Sequence, residues 1–299
     1  MRRCTKMRET TRLTGANIYL FLRRFAKGIR LEDLKPIPSG LYGASFIFAY
    51  GTDKILKVNK IGSRPALLKE AKLAEYLSKQ ELPVTVVAPL QVHPKGFYAI
   101  YPRIDAHELE LDVVQKFTPF ELDTFARSIG GFLSFLHGHD FPDDVLDYIP
   151  RVEHDLAAEL KKSENRIEFI RQHAPAIDTT RFKEGLDTLR DSLVQMWSIT
   201  HADLGLGNIL FNNEVDPQFA VIDFTDAEVC DPSADIACLA EDLDEGGIPV
   251  DTLESVFEYY DISDSTFKQK MKFRILVREI RSVFWNVRRD VRLATKSAG

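Results

Sequence analysis

A short stretch in the last third of the chain constrains the fold more than any other feature. Ile209-Leu210-Phe211 and Phe219-Ala220-Val221-Ile222 are apolar runs separated by turn-forming residues, and this pattern predicts a β-hairpin. Asp203 and Asn208 precede the first predicted strand, and Asp223 follows the second. Because a hairpin brings these two ends together, we expect two carboxylates and an amide oxygen to converge there. Hard oxygen ligands of this kind suit Mg²⁺, which completes its coordination with substrate phosphates.

The spacing within this stretch is specific. His201, Asp203 and Asn208 follow the order His-x-Asp, four residues, Asn that kinases use in their catalytic loop. In that chemistry the Asp accepts the proton of the attacking hydroxyl group, whereas the Asn and a later Asp hold Mg²⁺. An ordinary acidic hairpin is the alternative, but it does not require Asn at this offset. The pattern therefore predicts Asp203 as the catalytic residue and Asn208 and Asp223 as metal ligands.

The same motifs resemble those of the aminoglycoside phosphotransferase family of kinase-like enzymes. The usual text of that family is His-Gly-Asp, Asn-Ile-Leu, Ile-Asp-Trp/Phe-Gly-Asp, and Asp-Pro with a following Asp. The resemblance extends, more weakly, over about residues 37–265, and its pattern is most similar to the branch that modifies a 2″-hydroxyl group. The corresponding residues of this chain are His201-Ala202-Asp203, Asn208-Ile209-Leu210, Ile222-Asp223-Phe224-Thr225-Asp226, Asp231-Pro232 and Asp235.

The resemblance implies an α+β, two-lobed protein-kinase-like fold. A small β-rich N-terminal lobe, with a leading helix, would span residues 1–103, and a larger helical C-terminal lobe would span residues 104–299. Nucleotide and Mg²⁺ are expected in the cleft between them. Periodicity and turn signals predict strands at 46–50, 54–58, 84–90 and 96–101, and helices at 16–31, 65–80, 119–137, 152–173, 179–197, 249–260 and 265–293.

Lys57 lies in a predicted strand that is otherwise apolar, so its charge needs a partner. The helix that follows supplies Glu70. In kinase-like folds a strand Lys pairs with a helix Glu and reaches the α- and β-phosphates. The resemblance therefore assigns these nucleotide-binding roles to Lys57 and Glu70. Lys54, Lys60 and Glu75 are the alternatives that the sequence leaves open.

Two further segments are candidates for nucleotide binding. Gly40, Gly43 and Ser45 come directly before a predicted strand, where glycine permits backbone N–H groups to approach phosphates and Ser45 can donate a hydrogen bond. An ordinary hairpin turn is the alternative. By resemblance, Pro102 and Ile104 belong to a hinge whose backbone pairs with a purine edge. Because the Gly that often follows this hinge is absent, its register is open by one residue.

An acid-rich segment follows the predicted metal site. No Lys or Arg occurs between Asp191 and Phe267, whereas acids recur throughout. The branch that modifies a 2″-hydroxyl group has a similar acidic run lining a pocket for ammonium groups. Carried over by position, Asp231, Glu241 and Glu245 are predicted to bind substrate amines. A solvated acidic helix end is the alternative.

Composition excludes several classes of protein. The formal net charge of −6 does not indicate wholesale nucleic-acid binding. No apolar run reaches the roughly 18 residues that indicate a membrane helix. Cys4, Cys230 and Cys238 have neither metal-binding nor disulfide spacing, which fits a reducing cytosol. We therefore expect a cytoplasmic protein without a nucleic-acid or membrane partner.

Together these features predict a Mg²⁺-dependent kinase. It would move the γ-phosphoryl group of ATP or GTP to a hydroxyl group of a small, cationic acceptor, foremost an aminoglycoside antibiotic, and so confer resistance. A kinase of a macrolide, sugar or amino alcohol is one alternative, and a catalytically silent nucleotide-binding module is another. A regulated protein kinase is disfavoured, because only seven residues separate Asp223 from Asp231 and leave no room for a long activation loop.

Overall fold

The computed structural model groups the chain into two units. The first comprises Met1–Ala71 and Ala88–Ile104, and the second comprises Lys72–Val87 and Asp105–Gly299. The two lobes predicted from the sequence, residues 1–103 and 104–299, remain a prediction. The units of the structure differ from them chiefly in residues 72–87, which group with the second unit. The structure describes residues 22, 29–37, 45–59, 64–151, 156–245, 255–261 and 265–297.

The first unit is built on an antiparallel sheet. Its strands are β1 (Leu34–Pro36), β2 (Ser45–Tyr50), β3 (Lys54–Asn59), β4 (Gln91–Val92) and β5 (Tyr98–Pro102), in the spatial order β1-β2-β3-β5-β4. Gly51 has a φ of 67° in the turn between β2 and β3, a conformation that glycine adopts without steric cost. Phe48, Leu56 and Ile100 are buried on this sheet. The central position of β3 fixes the place of its one inward-facing cation, Lys57, between Ile47 and Ala99.

Helices dominate the rest of the chain. They are α1 (Arg64–Leu77), α2 (Leu111–Val114), α3 (Pro119–Gly138), α4 (Asp143–Leu146), α5 (Leu156–His173), α6 (Thr180–Leu189), α7 (Ser233–Glu245) and α8 (Phe267–Ser297). Thr118 and Glu121 form a capping box at the start of α3, which satisfies N–H groups that the helix leaves unpaired. The apolar face of α3, including Phe125 and Phe132, lies at the centre of the main core. A second core joins α5, α6 and α8.

Short strands in the second unit frame the loops of the predicted site. They are β6 (His107–Glu108), β7 (Ser198–Thr200), β8 (Ile209–Phe211), β9 (Phe219–Val221) and β10 (Glu228–Cys230). The strands β8 and β9 form the predicted hairpin, with β6 beside β8, and β7 pairs with β10. The loop between β7 and β8 and the loop between β9 and β10 therefore start from paired strands. The architecture is α+β, as predicted.

Two predicted elements are wrong. Residues 84–90 form no strand: they make an isolated bridge at Thr85 and one hydrogen bond from Leu90 N to the carbonyl oxygen of Ile100, and Pro89 cannot donate to a strand ladder. The helix predicted for 179–197 ends at Leu189, and the N–H of Met196 donates instead to Asp231 Oδ2 (3.0 Å).

Other predictions fall largely outside the described residues. These are the leading helix at 16–31 and the glycine-containing turn at 38–44. Of the helix predicted for 249–260, residues 255–258 are described and helical. Among the helices in the described ranges, none has an apolar stretch long enough to cross a membrane.

Candidate active site

Asp235 holds the loop between β7 and β8 by accepting two backbone hydrogen bonds. The N–H of His201 donates to Asp235 Oδ2 (2.8 Å), and the N–H of Ala202 donates to Asp235 Oδ1 (2.7 Å). Ala202 has a φ of 65° where the resembling family has Gly, a left-handed conformation that costs a non-glycine residue about 1–2 kcal/mol. Asp235 thus maintains a strained turn directly before Asp203.

His201 braces the same loop through both ring nitrogens. Its Nε2 lies 2.9 Å from the carbonyl oxygen of Ile222, and its Nδ1 lies 3.3 Å from the backbone N of Asp203. A ring that donates from Nε2 and accepts at Nδ1 satisfies both contacts. His201 is fully buried and therefore supports the loop without facing a substrate.

A buried chain of polar groups extends from Asp235 into the protein. His137 Nε2 lies 2.9 Å from Asp235 Oδ2, and His137 Nδ1 lies 2.7 Å from the hydroxyl group of Tyr260. Burial alone would raise the pKa of Asp235, but the hydrogen bond and charge of His137 hold this pKa below its ordinary value. Asp235 therefore stays a carboxylate able to accept both backbone N–H groups.

Asp203 and Asn208 are in direct contact. Asn208 Nδ2 donates to the backbone carbonyl of Asp203 (2.7 Å) and to Asp203 Oδ2 (3.2 Å). Both donations come from the amide nitrogen, and Asn208 Oδ1 accepts no hydrogen bond from a described residue. Partial desolvation raises the pKa of Asp203, and the nearby carboxylates Asp226 and Asp223 act in the same direction, against His201 and the bond from Asn208.

The hairpin brings Asp223 to Asn208 as predicted. The N–H of Ile222 donates to the backbone carbonyl of Asn208 (3.0 Å), which ties the two loops together. Asp223 has a φ of 63°, and its Oδ1 accepts hydrogen bonds from the N–H and the hydroxyl group of Thr225. Thr225 stands where the resembling family has Gly, and here it orients the Asp223 carboxylate.

These residues fit a Mg²⁺ ion. Asn208 offers an amide oxygen, Asp223 offers a held carboxylate, and a cation would relieve the repulsion among Asp203, Asp223 and Asp226. Across the described ranges, no group of three or more His, Cys, Asp or Glu side chains is arranged for a metal ion. A site with two protein oxygen ligands suits Mg²⁺, which takes its remaining ligands from phosphates and water.

The first unit contains the predicted ion pair. Lys57 Nζ lies 2.7 Å from Glu70 Oε2, and only 6% and 5% of the two side chains is exposed. The alternatives are engaged elsewhere or lie outside the described residues. Lys54 pairs with Asp53 and Glu75 pairs with Lys79, in both cases on the surface, and Lys60 is one of the residues not described.

The remaining nucleotide-binding predictions have mixed outcomes. The buried hydroxyl group of Ser45 donates a hydrogen bond to Asn59 Oδ1 (3.0 Å). The sequence had instead predicted that this group donates to a phosphate. Gly40 and Gly43 lie outside the described residues. Pro102 ends β5, and the backbone of Ile104 makes no hydrogen bond to another described residue.

The prediction that Asp231 binds substrate amines is wrong. Its side chain is fully buried, and its oxygens accept hydrogen bonds from Lys270 Nζ (3.1 Å), Met196 N (3.0 Å) and both N and Oγ of Ser233 (3.1 and 2.6 Å). An internal cation therefore already neutralises this carboxylate. The sequence shows Asp231 as one acid among many and gives no sign of a lysine 39 residues later that turns it inward.

Glu241 is also paired with a cation of α8. Its carboxylate is in direct contact with Arg278, and 19% of the Glu241 side chain remains exposed. Partial burial lowers the pKa of Arg278. Glu245 is the last residue of α7, and its side chain is not among those described.

Comparison with known proteins identifies the family of this chain. The model of the phosphotransferase enzyme family (APH) matches residues 33–262, which is more than half of the chain. The chain belongs to this family. The family suggested by the catalytic-loop motifs is thereby confirmed, and this phosphotransferase carries those motifs inside the matched region. A search of curated proteins finds no match.

Solved structures with the same fold include proteins that are named after different substrates. One is the GDP complex of an aminoglycoside 2′-phosphotransferase-IIIa mutant (15% identity, TM-score 0.73, covering 93% of this chain and 92% of that chain). Another is macrolide 2′-phosphotransferase MphH from Brachybacterium faecium (16%, 0.61, 92% and 93%). A third is a choline/ethanolamine kinase family protein from Mesorhizobium loti (17%, 0.59, 93% and 87%). At these identities the similarity establishes the kinase-like fold.

Proposed function

We propose that this phosphotransferase moves the γ-phosphoryl group of ATP or GTP to a hydroxyl group of a small molecule. The strongest support is the contact between Asp203 and Asn208, with Asp223 held at the adjoining strand end. A carboxylate beside two metal-binding oxygens is the arrangement that phosphoryl transfer requires, since this reaction depends on positioning and on charge neutralisation. The GDP bound to one structural relative supports a nucleotide as donor.

Each residue has a defined role in this proposal. The acceptor hydroxyl oxygen forms a bond to the γ-phosphorus while the bond to the bridging oxygen of the nucleotide breaks, and Asp203 takes the hydroxyl proton. Asn208 and Asp223 would hold Mg²⁺, which neutralises phosphate charge when bound. Lys57 neutralises the α- and β-phosphates, and Glu70 orients it. The backbone of Ile104 would receive the base.

Replacing Asp223 with Ala should abolish the Mg²⁺-dependent part of nucleotide binding. The variant loses one of two protein ligands, so nucleotide affinity should become the same with and without Mg²⁺. Calorimetric titration of nucleotide in the two conditions measures this. The matched control is Asp226→Ala, which removes the neighbouring exposed carboxylate. If Asp226→Ala loses the Mg²⁺ dependence and Asp223→Ala keeps it, the ligand assignment is wrong.

The alternative to an enzyme is a catalytically silent nucleotide-binding module. A single-turnover assay with labelled nucleotide, Mg²⁺ and an acceptor panel distinguishes the two. Transfer of the label to any acceptor supports the enzyme, whereas nucleotide binding without transfer or phosphate release supports the silent module.

The proposed acceptor class is an aminoglycoside, with a macrolide, sugar or amino alcohol as alternatives. The acid-rich segment and the aminoglycoside phosphotransferase among the structural relatives support the first choice. Of the three acids predicted to bind amines, however, Asp231 is internal and Glu241 is neutralised by Arg278. A substrate ammonium group that used Glu241 would have to displace that guanidinium.

Replacing Arg278 with Gln should therefore lower KM for an aminoglycoside about tenfold to a hundredfold, since a charge-assisted hydrogen bond of about 1.5–3 kcal/mol becomes available. The KM for a neutral macrolide should stay unchanged. Steady-state kinetics with kanamycin-like and erythromycin-like compounds measure both values. Arg289→Gln, an exposed change on the same helix, is the matched control. An equal change in KM for both classes would contradict a role of Glu241 in binding amines.

A further inference from the structure

One face of α7 lies against the backbone of the catalytic loop. Asp235, Cys238 and Asp242 are three and four residues apart, a spacing that places side chains on the same side of a helix. Asp235 holds His201 and Ala202, as described above. Cys238 Sγ lies 3.9 Å from the carbonyl oxygen of Ala202. Asp242 reaches the other end of the loop, so the helix contacts the loop on both sides of Asp203.

The contact made by Asp242 is a short hydrogen bond. The N–H of Leu206 donates to Asp242 Oδ2 at 2.7 Å. Leu206 starts a single turn of 3₁₀ helix that runs from Leu206 to Asn208. The first N–H groups of such a turn have no partner within it. Asp242 satisfies one of them, as a capping carboxylate does.

Gly205 gives an independent sign that this approach is built into the loop. A Cβ atom at Gly205 would overlap Asp242 Oδ2. With any other residue at position 205, the carboxylate of Asp242 would have to shift from the place in which it accepts the N–H of Leu206. The N–H of Asn208 in turn donates to the carbonyl oxygen of Gly205 (3.0 Å). The position of Asn208 therefore depends on the turn that Asp242 caps.

We propose that Asp242 is a positioning residue, which fixes the turn between Asp203 and Asn208 through the backbone of Leu206. In the sequence it belongs to an acidic run that suggests contacts with substrate amines, but its Oδ2 atom is directed at a backbone N–H group. The inference rests on the proposed function for its effect on turnover. Its structural part stands on the hydrogen bond and the close approach alone.

Replacing Asp242 with Ala should lower kcat between about tenfold and a hundredfold, since small displacements of catalytic groups have effects of this size. KM for the acceptor should change less than about threefold, because Asp242 does not touch substrate in this proposal. Asp242→Asn should retain most of kcat, since its amide oxygen can accept the same N–H. Gly205→Ala should reproduce the loss. Asp261→Ala, an exposed acid elsewhere, is the control.

Amide hydrogen exchange provides a readout that does not need activity. In Asp242→Ala the Leu206 amide should exchange at least about tenfold faster, with exchange in α3 unchanged, whereas Asp242→Asn should keep the native rate. Native exchange at Leu206 together with native kcat in Asp242→Ala would overturn the proposal. Equal losses of kcat in the Ala and Asn variants would overturn it as well, because they would indicate a need for the charge. If the native chain transfers no phosphate, the proposed function fails, and exchange still decides the role of Asp242.

Discussion

Replacing Asp203 with Asn should lower kcat at least about a hundredfold, the low end for removal of a general base. The amide keeps the size of the side chain and can still accept the hydrogen bond from Asn208 Nδ2, so the loop should keep its shape. What it cannot do is take the proton of the acceptor hydroxyl group. Nucleotide affinity should therefore stay within about threefold of the native value.

Steady-state kinetics and nucleotide titration on the same preparation measure the two quantities. Glu214→Gln is the matched control, because it makes the analogous carboxylate-to-amide change at an exposed position of the β8–β9 turn. Near-native kcat in Asp203→Asn would rule out Asp203 as the base. A parallel loss of nucleotide affinity would instead indicate that Asp203 belongs to the metal site.

Replacing Lys57 with Met should destabilise the protein by about 3–5 kcal/mol in addition to impairing turnover. The change removes one partner of a buried ion pair, and breaking such a pair has a cost of this order. Urea unfolding measures the free energy of unfolding. Lys54→Met is the control, since Lys54 forms an exposed pair with Asp53 that contributes at most about 1 kcal/mol.

The double variant Lys57→Met/Glu70→Leu separates the two effects. With both charges removed, the free energy of unfolding should return to within about 1 kcal/mol of the native value, because apolar replacement of a buried pair is often neutral. Turnover should stay low, since no cation remains for the phosphates. Recovery of turnover with stability would show that Lys57 has only a structural role.

The sequence was sufficient wherever a local pattern has a single physical outcome. The β8–β9 hairpin follows from two apolar runs around a turn, and α3 follows from its helical periodicity. The Lys57–Glu70 pair follows from a cation inside an apolar strand. The short strands β7 (Ser-Ile-Thr) and β10 (Glu-Val-Cys) were missed, because they are not apolar runs and no turn joins them to each other.

Partner choice among the acids was the part that the sequence could not supply. Asp231, Asp235, Glu241 and Asp242 lie within one acidic stretch, yet each has a different partner: a lysine, a histidine with two backbone groups, an arginine, and a backbone group. These partners come from remote segments or from the main chain. The sequence shows that these four side chains are acidic, but it does not show which group each of them contacts.

The last helix, α8, lies beyond the region that the family model matches. The matched region ends at residue 262, whereas α8 begins at Phe267. Yet Lys270 of α8 is the buried partner of Asp231, and Phe273 and Ile280 are completely enclosed in the core that α8 shares with α5 and α6. Asp231, which lies inside the matched region, is thus paired with a helix that lies outside it. The region that the family model matches and the region that packs into these cores therefore differ, and the second extends further along the chain.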